Sequence, residues 1–567
     1  MADHVTFVDS RQSFPYWIRE GLLVIRPQKL RSRFTRAIEH PPASHFFRLR
    51  ISKELHDLPA FVPARKRLMC PWTEGRRYDT RKQFDVHGCS RIGKRVLASV
   101  KRVRYVMYHS SHTYLAFVLI LMVSSRPATA GSPGVENFEA FVGPIAQEAI
   151  RSGPIAGLTV GISRTGRQVF IKGYGLADLE NGVAAGADTV YSFKSITKSF
   201  TAAAILQLRE QRKLDLDEKV GHLLPDLPAH WRLITIRQLL THTAGLPNYG
   251  GELFRENIGK DITTAEWVRS MADQPLLFEP GAGWSYSNLG YDILGLIIEK
   301  LSGTSFADYV SSQFVTPSGL EHTRVLDREA IIPHRARSYT LDSTQTFVNA
   351  RSWGTYGIPA GALGGTAADL LKWEYSIKQA TALALDAKRL METPAQLSTG
   401  IELDYGFGTR LGMIGPHRIV AHSGDGEGWT SAAVRIDDAD LVVVVLTNTE
   451  SYARHAQVIA CAIARRILSI SDSVINDLAL TSAEQAGFAG KYGNGLELLS
   501  QNGVLFAQLW PGGPRNRLLY QGKGTFVLDS ARDMMLNIQR DQRGANWVVV
   551  RAGGVFAFAA AHERGNP

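Results

Sequence analysis

The 567-residue chain is 44% hydrophobic, 21% charged and 9% aromatic, a globular mix that excludes disorder throughout and is long enough for about three domains or one large domain with appendages. Its net charge of +11 is confined to one end: residues 1–106 carry a balance of +14 and residues 107–567 one of −3, so the charge does not license a phosphate-binding footprint over the main fold. Three cysteines without a Cys-x-x-Cys pair, and sixteen histidines without a His-Glu-x-x-His pair, argue against a disulfide framework, a zinc site or any other metal centre.

Residues 1–106 scatter Arg, Lys and Pro with no sustained period of 2 or 3.6. They read as a basic extension outside the working protein, with the functional start near Met107. The alternative, a basic arm on nucleic acid or acidic lipid, has no binding module to support it. The apolar run Tyr114–Val123 follows Lys94, Arg95, Lys101, Arg102 and Arg104, and Ala128 and Ala130 make a small-x-small cleavage pattern before Gly131. Residues 107–130 therefore read as a signal peptide, cleaved near Ala130, giving a secreted or periplasmic protein. Ten apolar residues make a helix of only about 15 Å, too short for a stable transmembrane span.

From Gly131 onward the chain reads first as a helix (VENFEAFVGPIAQEAIRSG), then as two β-rich runs around Arg164-Thr165-Gly166, a hairpin signal. A helix is predicted from about Ser195, and a long helical region broken by Pro/Gly turns follows. RIVAHSG, TSAAVRID and ADLVVVVLTN read as strands, and HAQVIACAIARRIL as a closing helix near residue 470. Strands at both ends with helices between predict an α+β fold: an antiparallel sheet flanked by helices, with an all-α insertion, over residues 131–470. Residues 480–567 alternate short apolar runs with Gly/Asn/Asp turns and predict a small all-β, barrel-like domain with its own core.

Three short motifs carry chemistry. Among all lysines only Lys198 has a serine three residues before it, and at a helix start Ser195 and Lys198 project from one face about one turn apart. A serine is a poor nucleophile unless a neighbour takes its proton, and a lysine can do so when burial or a nearby cation lowers its pKa. Tyr286 and Asn288, two apart in an extended or turning segment, can enter one cleft together. His422-Ser423-Gly424, expected at the start of a strand, can offer a backbone N–H to an oxyanion, with the glycine allowing close approach.

Together and in this order these residues resemble the serine β-lactamase and penicillin-binding-protein-like family, whose motifs are Ser-x-x-Lys, Tyr-x-Asn or Ser-x-Asn, and Lys/His-Thr/Ser-Gly. The stretches ITIRQLLTHTAGLP, Pro280 to Tyr291 and GALGGTAADLLKW resemble it too, over roughly residues 135–470. The likeness is greatest to the class C β-lactamase, D-alanyl-D-alanine carboxypeptidase, D-aminopeptidase and esterase branch. It implies a β-lactamase/transpeptidase-like fold, no cofactor, and a two-step acyl transfer. In that reaction Lys198, coupled to Tyr286, takes the proton of the nucleophile Ser195. The backbone N–H groups of Ser195 and Asp425 hold the oxyanion, Tyr286 and His422 assist proton transfer, and Asn288 positions substrate and Lys198. Ser423 and Gly424 border the substrate, Gly424 as a permissive backbone position. The C-terminal β segment resembles the lipocalin-like additions of some relatives.

His422 stands where a true β-lactamase has lysine. Asp425 and Glu427 put two carboxylates beside the expected subsite, which would repel an anionic substrate end. The expected function is an exported serine hydrolase acting on a small-molecule or peptide substrate: a D-amino-acid peptide, an ester or a β-lactam. A catalytically silent scaffold that binds peptide ligands is the alternative, and no nucleic-acid partner is expected.

Overall fold

The computed structural model describes residues 137–249, 260–351, 357–450, 455–471 and 474–563. The basic extension and the signal read at residues 107–130 lie outside the described residues.

Helix α1 (Glu139–Ser152) leads into the hairpin β1 (Gly157–Arg164) and β2 (Arg167–Asp178). Thr165 and Gly166 both take positive φ, 50° and 72°, the tight turn whose twist matches that of two paired strands. Helices α2 (Thr197–Glu210), α3 (Asn288–Ser302) and α4 (Ala367–Lys378) come from the long central region. The chain then returns to the sheet with β3 (Arg410–Ile414), β4 (His417–Gly426), β5 (Trp429–Ile436) and β6 (Leu441–Thr447), followed by α5 (Ala456–Ile467).

Distant pieces of chain close the sheet. β1 pairs antiparallel with β6, Val160 opposite Val445, so the order β3-β4-β5-β6-β1-β2 places a strand from residue 160 beside one from residue 445. The run LVVVVL of β6 is apolar throughout because both its faces are covered. Val442, Val444 and Leu446 join the core shared with α2, α3 and α4, whereas Val443 and Val445 join the core beneath α1 and α5. Alternation survives in where the side chains go rather than in their polarity.

The C-terminal strands β7 (Leu496–Gln501), β8 (Val504–Gln508), β9 (Arg515–Gly522), β10 (Thr525–Leu528), β11 (Met534–Arg540), β12 (Asn546–Ala552) and β13 (Val555–Ala561) form an antiparallel meander. Its core is not closed on itself, contrary to the sequence expectation. Leu498, Phe526 and Val549 share one apolar cluster with Trp284, Tyr286, Leu403 and Tyr405, and β13 meets β3 at Gly412 and Val555. Phe556 stands edge-on to Trp284 at 5.1 Å, a geometry that contributes about 0.5–1.5 kcal/mol beyond its buried area. An ion pair from Arg551 Nε to Asp404 at 2.7 Å ties the same seam.

Candidate active site

Ser195 lies in a single tight 3-10 turn (Lys194–Ile196), and the α-helix begins at Thr197, two residues later than the helix start expected from sequence. This turn is held from two sides. Leu363 N–H donates to Thr197 Oγ1 at 3.1 Å, and Ser431 Oγ donates to the Phe193 carbonyl at 2.7 Å. Lys194 takes φ of 49°, which leaves Ser195 half-buried at the mouth of two clefts while its neighbours are buried.

Lys198, fully buried, sets the electrostatics. Its Nζ is 3.1 Å from Ser195 Oγ, 2.6 Å from Asn288 Oδ1 and 2.7 Å from the Ala360 carbonyl. Carbonyl oxygens only accept, so Asn288 and Ala360 fix two N–H bonds. In a neutral amine the remaining direction is the lone pair, and it faces the serine hydroxyl. Burial drives the lysine well below its ordinary pKa; Asp292 works against this and Arg410 adds to it. Asp292, one turn from Asn288 on α3, is itself raised to about 7 by burial, opposed by its hydrogen bond from Tyr249 and by Lys198.

Ser287 is extended, and Asn288 opens α3 behind the Ser287 cap, whose Oγ accepts from Gly290 N–H at 3.2 Å. Asn288 N–H donates to Asn248 Oδ1 at 3.0 Å, which orients the side chain that meets Lys198. The Tyr286 ring packs against Lys198 Nζ, 4.9 Å from centroid to nitrogen. Its buried hydroxyl, without a hydrogen bond of normal geometry, lines a narrow cleft together with Ser195. Burial raises the phenol pKa, while Arg410 and then Ser195 oppose the rise.

The third motif lies near the end of β4, not at the start of a strand as expected. Glu427 and Gly428 form the two-residue hairpin tip between β4 and β5, with φ of 45° and 83°. A two-residue tip makes Gly426 and Trp429 a hydrogen-bonded pair, and ladder alternation then turns the Asp425 N–H outward from the free edge. Asp425 and Ser195 line the same clefts. A Cβ on Gly424 would sit 2.4 Å from the Phe193 carbonyl and 2.6 Å from Lys194 Cβ, so this strand approaches the Ser195 turn as closely as backbone allows. Ser423 lines the narrow cleft.

His422 lines neither cleft and is 3% exposed. Ser287 N–H donates to His242 Nδ1 at 3.1 Å, so His242 Nε2–H donates to Tyr405 Oη at 3.0 Å. The tyrosine hydroxyl then donates to His422 Nε2 at 3.1 Å, leaving His422 Nδ1–H for the Ser423 carbonyl at 2.6 Å. Every partner in this chain is consistent with both imidazoles being neutral, and burial lowers both well below the ordinary histidine value.

The two expected carboxylates are both engaged. Glu427 forms an ion pair with Lys194 at 2.6 Å, both side chains 10% exposed, and Asp425 is bonded by His455 Nε2–H, whose Nδ1 accepts from Gln457 N–H. Both carboxylates line the larger cleft, as expected from sequence, and the Glu427 carboxyl is paired with Lys194 within its wall. Arg410, Tyr405 and His242 belong to the site but carry no motif of their own; only His242 stood in a stretch, THTAGLP, already set apart.

The beta-lactamase family model matches residues 138–465. This chain belongs to the beta-lactamase family. It is thus a member of a family of serine hydrolases, with that family's fold. It is 31% identical over 318 residues to "Penicillin-binding protein 4*" of Bacillus subtilis (strain 168), covering 53% of this chain and 70% of the relative. A solved structure of SurE with D-Leu matches with a TM-score of 0.54 at 25% identity, covering 75% of this chain and 99% of that one. The D-amino acid amidase from Ochrobactrum anthropi SV3, solved with L-phenylalanine amide, matches with a TM-score of 0.52 at 23% identity, covering 59% and 97%. Among the described residues no helix is long and apolar enough to cross a membrane.

Proposed function

We propose that the chain is an exported hydrolase that forms an acyl-enzyme on Ser195 from an amide or ester, with a D-amino-acid peptide, an ester or a β-lactam as substrate. The observation that carries this reading is Lys198 Nζ, fixed by two carbonyl acceptors with its third direction on Ser195 Oγ. Ser195 Oγ attacks the carbonyl carbon as its proton passes to Lys198, and the N–H groups of Ser195 and Asp425 receive the oxyanion. Tyr286, beside both groups, carries the proton to the leaving group, and Asn288 holds Lys198. His422 acts here through its neutral hydrogen bonds to Tyr405 and the Ser423 carbonyl, keeping the edge strand in place. Water then releases the acyl group.

The larger cleft, about 630 Å³ and lined by Ser195, Asn288, Arg335, Ala362, Asp425 and Trp429, is of a size that takes a peptide-like acyl group. A relative named as a penicillin-binding protein and neighbours solved with D-leucine or an amino acid amide support an amide with a D-amino acid portion. Export rests on the apolar run before Ala130, with the working chain starting at Gly131 and the β domain at about residue 480. The test compares wild type and Ser195→Ala on nitrocefin, p-nitrophenyl acetate and butyrate, and D-alanine p-nitroanilide. Activity lost in the variant is expected, and the preferred substrate assigns the class. Silence of the wild type on the whole panel, with no covalent labelling, would favour the scaffold reading.

A further inference from the structure

We propose that Arg410 is the fixed cation of this active site, and that strand β13 of the C-terminal β domain holds it there, so that the β domain is part of the machinery that readies Lys198 and Tyr286 for the Ser195 proton. The inference rests on the acyl-enzyme reading above.

The geometry comes from two sides. Arg410 Nη1 donates to the carbonyls of Phe556 at 2.8 Å and Ala557 at 2.7 Å, adjacent residues of β13. The guanidinium carbon lies 5.4 Å from the Tyr286 ring centre and 5.9 Å from that of Tyr405, within the range of cation–π attraction. Its buried Nε–H lacks a hydrogen-bond partner, and the buried Tyr286 hydroxyl has none of normal geometry, Ser195 being the group that approaches it. Both residues line the narrow cleft of about 50 Å³ whose other walls include Ser195, Asp425 and Phe556. Both polar groups stand at the cleft beside Ser195, where charge would develop during acyl transfer.

Of the charges around the pair, Asp292 raises Lys198, and Arg410 is the cation that works with burial to lower it. The groups facing Lys198 and Tyr286 are Asp292 from α3, Asp425 from β4, His242, His422, Tyr291, Tyr405 and Arg410. Both histidines are neutral within their hydrogen-bond chain, Asp292 is bonded by Tyr249 and Asp425 by His455. A guanidinium keeps its charge at every working pH. It disfavours a second positive charge on Lys198 and favours a negative one on Tyr286, and both effects ready the site to accept a proton. The third motif contributes no cation, because His422 stands there and is neutral. Arg410 thus acts through Lys198 and Tyr286 as a positioning residue.

The test uses the full chain and an uncharged alkyl fluorophosphonate. As the Ser195 Oγ–P bond forms, the P–F bond breaks, the hydroxyl proton goes to Lys198 and fluoride leaves. The labelling rate constant is followed against pH for wild type, Arg410→Lys and two neutral variants, Arg410→Gln and Arg410→Met, the second keeping the apolar stem if the first fails to fold. In the neutral variants the rising limb is expected to move about one pH unit upward, with labelling at neutral pH slowed about tenfold. Arg410→Lys is expected to keep the wild-type limb. An unmoved limb in a folded neutral variant overturns the proposal, including the case in which only substrates bearing a free carboxylate slow down, since Arg410 would then be a substrate clamp. No labelling of wild type, or equal labelling of Ser195→Ala, overturns the acyl-enzyme reading itself and is told apart by the absence of any Ser195-dependent signal.

Discussion

At the scale of single residues, the site turns on how many acceptors surround one amine. Lys198 has two carbonyl oxygens and one hydroxyl within reach, and only the hydroxyl can give a proton back. Asn288→Ala removes one of the two acceptors that fix the amine's rotation. A hydrogen bond of this kind contributes about 1–3 kcal/mol, so kcat/KM on the best ester or amide of the panel is expected to fall roughly tenfold to a hundredfold. Retention of wild-type kcat/KM would show that Ala360 alone suffices.

The histidine chain gives a second expectation. For His242 and His422, buried and neutral with pKa lowered, the unfolded chain takes up protons below pH 6.5 that the folded chain refuses. Their stabilising contribution is therefore full above pH 6.5 and falls by about 1.4 kcal/mol per pH unit for each histidine on acidification. Asp292 and Glu427, each raised to about 7 mainly by burial, run the other way, stabilising at acid pH and losing that contribution as pH rises towards 7. The histidine part is read as a difference. Urea unfolding of wild type and His422→Gln at several pH values should show the wild-type advantage shrinking from neutral to mildly acid pH; a constant advantage would mean His422 titrates normally.

The same residues show what could be read in advance. Ser195 and Lys198 were legible because helix geometry ties three-residue spacing to one face. Tyr286 and Asn288 were legible as a pair, although the expected turn is in fact the first residue of a helix. Arg410, Tyr405 and Ala360 were not, because each meets the site from a distant stretch, with no spacing to betray it.

At the scale of elements, the hairpin β4–β5 and the turn before α2 behave as one unit. Gly424 has no room for a side chain between Phe193 and Lys194, and the obstruction is backbone that cannot swing aside. Gly424→Ala is expected to cost about 1–3 kcal/mol of stability and to depress labelling of Ser195 more than overall folding would account for. Urea midpoints and labelling rates measured on one preparation check it, and wild-type labelling would refute it. The β1–β2 and β4–β6 strands were readable from their turns and branched residues. The run Val555–Ala561, VFAFAAA, was harder, since alanine has weak strand preference and the buried pattern depends on partners from residues 284 and 405.

At the scale of the whole molecule, the β domain shares its apolar interior with the second motif's segment. Phe556→Ala empties a fully buried ring position beside Trp284, and a loss of about 3–5 kcal/mol is expected. Denaturant unfolding should show it as one lowered transition; an unchanged transition would mean the two parts unfold independently. A chain beginning at Gly131 is expected to match the full chain in kcat/KM and melting temperature, and a loss of either would bring the basic extension into the working protein.

The carbonyls of Phe556 and Ala557 that grip Arg410 lie more than three hundred and fifty residues beyond Ser195 in the sequence. During synthesis the serine emerges long before the strand that completes its surroundings. On the reading proposed above, a chain whose β13 is not yet in place lacks the grip on Arg410, and Ser195 is readied only once that strand has docked. If the protein is exported unfolded, the compartment that makes it is shielded from its chemistry without any inhibitor.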